Sequence, residues 1–269
     1  MIPGRGLALG ITMMIVGIVV VVPLGALVLT LHGITPAGFL KTAFSPEALA
    51  AFRLSFGAAI VASAIDVVAG AAIAVVLIKY SSPAMRLLDA LVDVPFALPP
   101  AVTGITLATL YGPHGWVGAW LAQHGIAIAY TPAGIVLALA FVGLPFVVRT
   151  VQPVIATLPH EYALAAASLG AGPMTILRRV TLPLVAPAFL TGFALALART
   201  LGEYGSVIFI AGNMPGKTEI VPLIIVTRLE QYDFSGAAAV ALVSLAVSFA
   251  MLLAINVLQR RMIEARSAA

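Results

Sequence analysis

The sequence predicts an all-α integral membrane protein with six transmembrane helices in one domain, residues 1–269. Three observations predict it. Of 269 residues, 62% are hydrophobic and only 9% are charged, where an ordinary soluble domain is about 25% charged and under half apolar. The mean hydropathy is +1.13. Apolar runs near the roughly 20 residues that a helical span requires recur along the whole chain, which leaves room for about six spans with short loops. Lipid admits only helices or closed barrels as spanning structures, and these runs lack the period-two alternation of barrel strands. With no cysteine in the chain, disulfide and thiolate-metal chemistry are excluded. The net charge of +4 is not read as nucleic-acid binding, because its placement is what matters.

Residues 1–6 form a short tail with Arg5. The first span is expected at 7–31, interrupted by Pro23. It is longer than the ~7–15 apolar residues of a cleaved signal peptide and is read as retained. A loop follows, with Pro36 and Lys41. Ser45, Pro46 and Glu47 then read as a helix start: a capping hydroxyl, a proline in the first turn and an acid behind it. Span two, 52–78, carries Arg53 at its mouth and Asp66 near its middle. A polar connection with Lys79, Arg86, Asp89 and Asp93 leads to span three, 94–111. Pro95, Pro99 and Pro100 bend or break its start. The uncharged stretch 112–131 holds Trp116 and Trp120, which share a helix face and suit a headgroup boundary. Span four, 132–148, is followed by Arg149 and Gln152. Beyond a polar loop at 152–183 come span five, 184–210, a loop at 211–235 with a semi-apolar patch (Ile220 to Val226), and span six, 236–258. Arg260, Arg261, Glu264 and Arg266 close the chain.

The loop charges set an orientation. One side collects Arg5, Lys79, Arg86, Arg149, Arg178, Arg179, Arg260, Arg261 and Arg266, and the other has Lys41, Arg53, Lys217 and Arg228. The positive-inside rule makes the first side cytoplasmic, with both termini and the loop 152–183.

That loop is the one long polar-flanked interruption in the apolar second half. From His160 the chain reads HEYALAAASLGAGPMTILRRVTLP, ending at Pro183. Alanines favour a helix, Gly170 suits its C-terminus, and Pro183 is excluded from a helix interior unless the helix restarts there. Two short helices joined at Gly170–Pro173 are expected. Ala163, Ala166, Ala167 and Gly170 offer a small face for close approach, while Glu161 and Tyr162 can hydrogen-bond a partner. A lipid-surface helix would need bulky apolar residues opposite a basic face, and residues 160–172 contain no Lys or Arg.

Ala165-Ala166, Gly170, Val180 and Leu182-Pro183 stand at the spacing of the EAA loop, so this stretch resembles that of bacterial ABC-importer permeases; Leu164 departs from the Glu of that motif, and Glu161 lies one helical turn earlier. A second run, from Gly202 through Glu203, Tyr204, Gly205 and Ser206 to Asn213, is similar to the sulfate/thiosulfate (CysT-type) branch. The resemblance implies a six-span type I importer (MetI-like) permease in a bacterial cytoplasmic (inner) membrane. It also implies a second permease of the CysW type, two cytoplasmic ATPase subunits carrying ATP and Mg, and a periplasmic sulfate-binding protein. The coupling residues it implies are Glu161, Tyr162, Ala165, Ala166, Gly170, Ala171, Leu182 and Pro183. No cofactor is expected on this chain itself.

Charges within spans cost roughly 2.5–3.5 kcal/mol each on insertion scales and seldom face lipid. Arg199 and Glu203, four apart on span five, are suited to pair, and Gly202 and Gly205 thin the helix beside them. With Ser206 and Asp66 they are the candidates for a pathway or gate, Asp66 pairing with a basic group of a neighbouring span or subunit. The segment Ala211 to Thr218 nearly fits a phosphate-binding loop. It follows a span rather than a strand, and Glu219 to Pro222 is a poor helix entry, so it reads as an external turn. Four scattered histidines show no metal-ligand spacing, and no nucleophile–base pair or acidic dyad stands out, so neither a metal nor a catalytic site is expected. Two alternatives stay open: a molybdate/tungstate permease, whose family carries a similar Gly-Glu-x-Gly segment, and a self-contained secondary anion transporter, for which repeated halves and a midplane site would be needed.

Overall fold

The computed structural model describes residues 5–267, with side chains from 6 to 262; the terminal charges of Arg5, Glu264 and Arg266 fall outside the described residues. Every regular element among the described residues is helical. Five helices are long and apolar enough to cross a membrane: α1 (Gly6–Gly33), α3 (Pro46–Lys79), α8 (Pro132–Ala156), α10 (Pro173–Leu201) and α13, whose span runs Phe234–Met262. Shorter helices connect them: α2 (Pro36–Ala43), α4 (Pro83–Val92), α5 (Val94–Ala97), α6 (Pro100–Tyr111), α7 (Trp116–Gln123), α9 (His160–Ser168), α11 (Val207–Ala211) and α12 (Val221–Glu230).

The core is a seam of α3, α8 and α10. Along α3 the buried residues are Phe52 and, all small or short, Ala48, Ala51, Ser55, Ala58, Ala59, Ala62, Ser63, Asp66, Gly70 and Ala74. Their three- and four-residue spacing makes one stripe of small side chains, the surface on which membrane helices approach closely. Glycines set the closest points. A Cβ at Gly70 would lie 2.8 Å from Val147, and one at Gly192 would lie 3.2 Å from the Val147 backbone. By contrast α1 has no buried residue in this chain.

Prolines shape the elements in two ways. At helix starts they are accommodated, because a first-turn residue needs no N–H. The Ser45 hydroxyl accepts from the Ala48 N–H at 3.2 Å ahead of Pro46, and Ser82 accepts from Met85 at 3.3 Å ahead of Pro83. Two of those further inside helices follow a widened turn, whereas Pro145, Pro153 and Pro187 sit in continuous α-helix. Residues Gly17–Val21 before Pro23 and Leu177–Thr181 before Pro183 are π-helical. One extra residue in the turn relieves the clash of the proline ring with the carbonyl four residues back.

The structure corrects several expectations. Span three is not one unbroken helix: prolines 95, 99 and 100 leave α5, a break at Leu98-Pro99 and then α6. At 1.5 Å per residue the 12 residues of α6 cover about 18 Å, short of the roughly 30 Å of a hydrocarbon core. Span four runs on to Ala156 and takes Arg149 and Gln152 with it. Pro183 does not end the second helix of the loop, because α10 passes through it by way of the π turn. Span five stops at Leu201 rather than 210, and Glu203 lies in the turn beyond it. The semi-apolar patch after Glu219 is α12, with Pro222 in its first turn, so that segment is a sound helix entry after all.

Candidate functional site

Two regions bring the singled-out residues together. The first is the elbow between α8 and α10. Gly170 closes α9 with φ +84°. The Ala171 N–H donates to the Ala166 carbonyl at 3.0 Å and the Gly170 N–H to Ala167 at 2.9 Å. This is the Schellman closure, and it requires a left-handed residue where the chain turns. Ala163 and Ala166 are half-buried, because α9 folds back on the start of α10. The small face is therefore half-buried at Ala163 and Ala166 and exposed at Ala167 and Gly170. Outward stand Tyr162 (53% exposed), Leu164 (65%) and Leu169 (89%). Ala165, Leu182 and Pro183 are exposed, Ala171 is half-buried, and the exposed Glu161 pairs with no described residue.

The second region lies beside the middle of α8. Arg199 Nη1 donates to Glu203 Oε2 at 2.6 Å. The other carboxylate oxygen accepts from the Ser206 N–H at 3.0 Å and its hydroxyl at 2.9 Å. Glu203 is sealed at 4% exposure while the Arg199 side chain is 38% exposed. The tight turn 202–206 is pressed on α6: a Cβ at Gly104 would overlap the Ser206 carbonyl, and one at Gly205 would lie 2.7 Å from Pro100. Asp66 stands apart. It is 1% exposed and packs at Gly143 of α8, where a Cβ would overlap its Oδ2. That oxygen and Ser63 Oγ have no hydrogen-bond partner among the described residues, and no basic group of another described span pairs with Asp66.

A third cluster was missed from sequence. At the elbow end of α8, Arg149 uses all five guanidinium donors. Nε and Nη2 hold Asp93 at 2.9 and 2.6 Å. Nη1 holds Asp89 at 2.6 Å and Gln152 at 3.1 Å, and Nη2 reaches the Asp89 carbonyl at 3.0 Å. This ties α4 and the start of α5 to α8. The signal was present, since Asp89 and Asp93 are four apart and so share a helix face. At the opposite end, Asp233 caps α13 by accepting from the Gly236 N–H at 2.9 Å and pairs with Arg228 at 2.7 Å. Glu219 nearby is pushed above the usual carboxylate range, first by burial and then by Glu47, with Arg228 opposing. The glycine-rich turn after Ala211 follows a short helix and closes on itself, the Thr218 hydroxyl accepting from the Met214 N–H at 2.9 Å.

A small-residue helical seam, a broken third segment and an exposed elbow between two spans define a membrane permease. The chain belongs to the family described as binding-protein-dependent transport system inner membrane component, which its residues 66–264 match. It is a multi-pass inner-membrane component of such a transport system. Among curated relatives it is 45% identical to the sulfate transport system permease protein CysT of Salmonella typhimurium, over 97% of this chain and 94% of that one. The Escherichia coli protein of the same name gives the same identity and coverage. A probable sulfate transport system permease protein of Nephroselmis olivacea is 44% identical over 94% of this chain and 89% of its own. Among solved structures, a chain of a bacterial alginate ABC transporter in complex with an alginate-bound periplasmic protein superposes with a TM-score of 0.77 at 15% identity, covering 95% of this chain and 93% of that one. At that identity the likeness bears on the fold alone.

Proposed function

We propose that this chain is the permease of an ATP-driven importer that carries sulfate and thiosulfate into the cell. The observation that carries the reading is the 45% identity, over 97% of the chain, to relatives named as sulfate permeases. In this reading a second permease of the CysW type completes the pathway. A periplasmic sulfate-binding protein delivers the anion, and two ATPase subunits hold ATP and Mg. Both termini and the elbow are cytoplasmic, which agrees with the basic residues collected at that end.

The elbow is the coupling element. Glu161, Tyr162, Ala165, Ala166, Gly170 and Ala171 shape the part that enters a groove of the ATPase. Leu182 and Pro183 lead its movement into α10, which carries Arg199. ATP binding draws the ATPases and both elbows together and turns the spans outward; hydrolysis resets them. Arg199, Glu203, Gly205 and Ser206 line the path, with the carboxylate neutralised so that it does not repel an anion. Asp66 belongs to the seam that must rearrange around that path.

Co-purification from solubilised membranes, followed by ATPase assays and sulfate uptake, tests this reading. The wild-type chain brings down an ATPase subunit and a second permease, and Gly170→Val weakens that capture or its stimulated activity. A chain that purifies alone and moves an anion without ATP contradicts it. Molybdate outcompeting sulfate would transfer the reading to that anion.

A further inference from the structure

A cavity of about 250 Å³ opens beside the middle of α8, between Phe146, the broken segment at Phe96 and Leu98, and Pro100, Thr103 and Arg199. Three features give it a chemical character. Arg199 commits one donor to Glu203 and bonds no other described residue, whereas Arg149 has all five committed. Its remaining N–H groups are therefore available. Because Glu203 is sealed and Arg199 is not, the ion pair presents its positive end to the cavity.

Thr103 is the second feature. It is 3% exposed, yet its hydroxyl bonds no described residue. Thr150, Thr191 and Thr200, in the spanning helices α8 and α10, donate to the carbonyl one turn back at 2.6 to 2.9 Å. Lining the cavity without a partner, that hydroxyl is free to meet a group that enters it. The third feature is the start of α6, capped by Pro99 with no side-chain acceptor. The Thr103 N–H donates to the Pro99 carbonyl at 3.1 Å and Pro100 has no N–H, which leaves the Ala101 and Val102 N–H groups without helical partners, and the dipole places partial positive charge there.

We propose that this cavity is a transit site for a tetrahedral oxyanion, with Arg199 and Thr103 donating to the anion's oxygens and the start of α6 adding its dipole. The proposal rests on the sulfate reading above and names where the anion pauses. Size agrees: at about 30 Å³ per water the volume equals roughly eight waters, enough for a five-atom oxyanion with part of its hydration shell. The edge-to-face pair Phe96–Phe146, with centroids 5.1 Å apart, borders the site.

The chain has no cysteine, so Thr103→Cys introduces its single thiol. In the assembled complex an anionic methanethiosulfonate (the ethylsulfonate) should label it faster than the cationic trimethylammonium analogue. Saturating sulfate should slow labelling severalfold, because an anion held by the free Arg199 donors occupies the space the reagent needs. Arg199→Gln combined with Glu203→Gln removes both charges without stranding a buried carboxylate, and there the protection should vanish. No labelling, faster labelling by the cation, or a rate indifferent to sulfate overturns the site. Uptake without protection leaves the transport reading standing and removes this one. Protection in a complex that imports no sulfate does the reverse.

Discussion

Gly143 shows how little slack the seam holds. A side chain there would collide with Asp66, and one at Gly70 would press on Val147. Overpacked cores lose about 1–3 kcal/mol, so Gly143→Val should lower the melting temperature of the purified protein clearly, while Gly202→Ala, where a Cβ meets nothing within 4 Å, should not. Asp66→Asn should be tolerated far better than Gly143→Val, because among the described residues the Asp66 carboxyl has no ion-pair partner to lose. Glu219 carries a pH signature. Its proton is held more tightly in the folded protein than in the unfolded chain. The stability this contributes is full at pH below the ordinary carboxylate range and is lost as pH rises through the raised value. Glu219→Gln should therefore flatten that part of the pH–stability profile and raise stability at neutral pH, read as thermal melting across pH.

At the scale of elements, the elbow is a helix closed by one left-handed glycine. Gly170→Val places a β-branched residue at φ +84°, where a side chain costs about 1–2 kcal/mol. ATPase stimulation should fall more than the amount of assembled protein, because the strain sits at the elbow and not in the core. Arg149 is the corresponding fastener at the same end. Its side chain is 33% exposed, so solvent screening reduces each ion pair's worth. Arg149→Gln should cost about 1–2 kcal/mol through its bidentate hydrogen bonds, and Arg149→Lys should rescue little, since an ammonium has three donors and no planar fork. These elements were unequally legible. The helix stop at Gly170 and the start at Ser45-Pro46 follow from local chemistry and were readable. The Arg149 cluster joins residues 56 and 60 positions apart, which only folding brings together. The expected end at Pro183 failed because a π turn carries α10 on through that proline. Helix α12 was missed because a short apolar run does not declare its period.

At the scale of the molecule, composition settled the membrane class, while the small-residue seam of α3 emerged only from the packing. The third crossing did not follow from apolarity, because prolines 99 and 100 cut it into a half-length helix whose start opens toward Arg199. That break could be anticipated as a bend. The cavity it creates could not, since its walls come from three separate parts of the chain. The long unburied face of α1 leaves much of the molecule's apolar surface to lipid and to neighbouring subunits. The measurement that most directly tests the account is sulfate uptake into liposomes that hold this chain with its second permease and ATPase subunits. Accumulation should require both internal ATP and the external binding protein, and should disappear when either is withheld. Accumulation that continues without ATP would contradict an importer permease and point to a self-contained transporter.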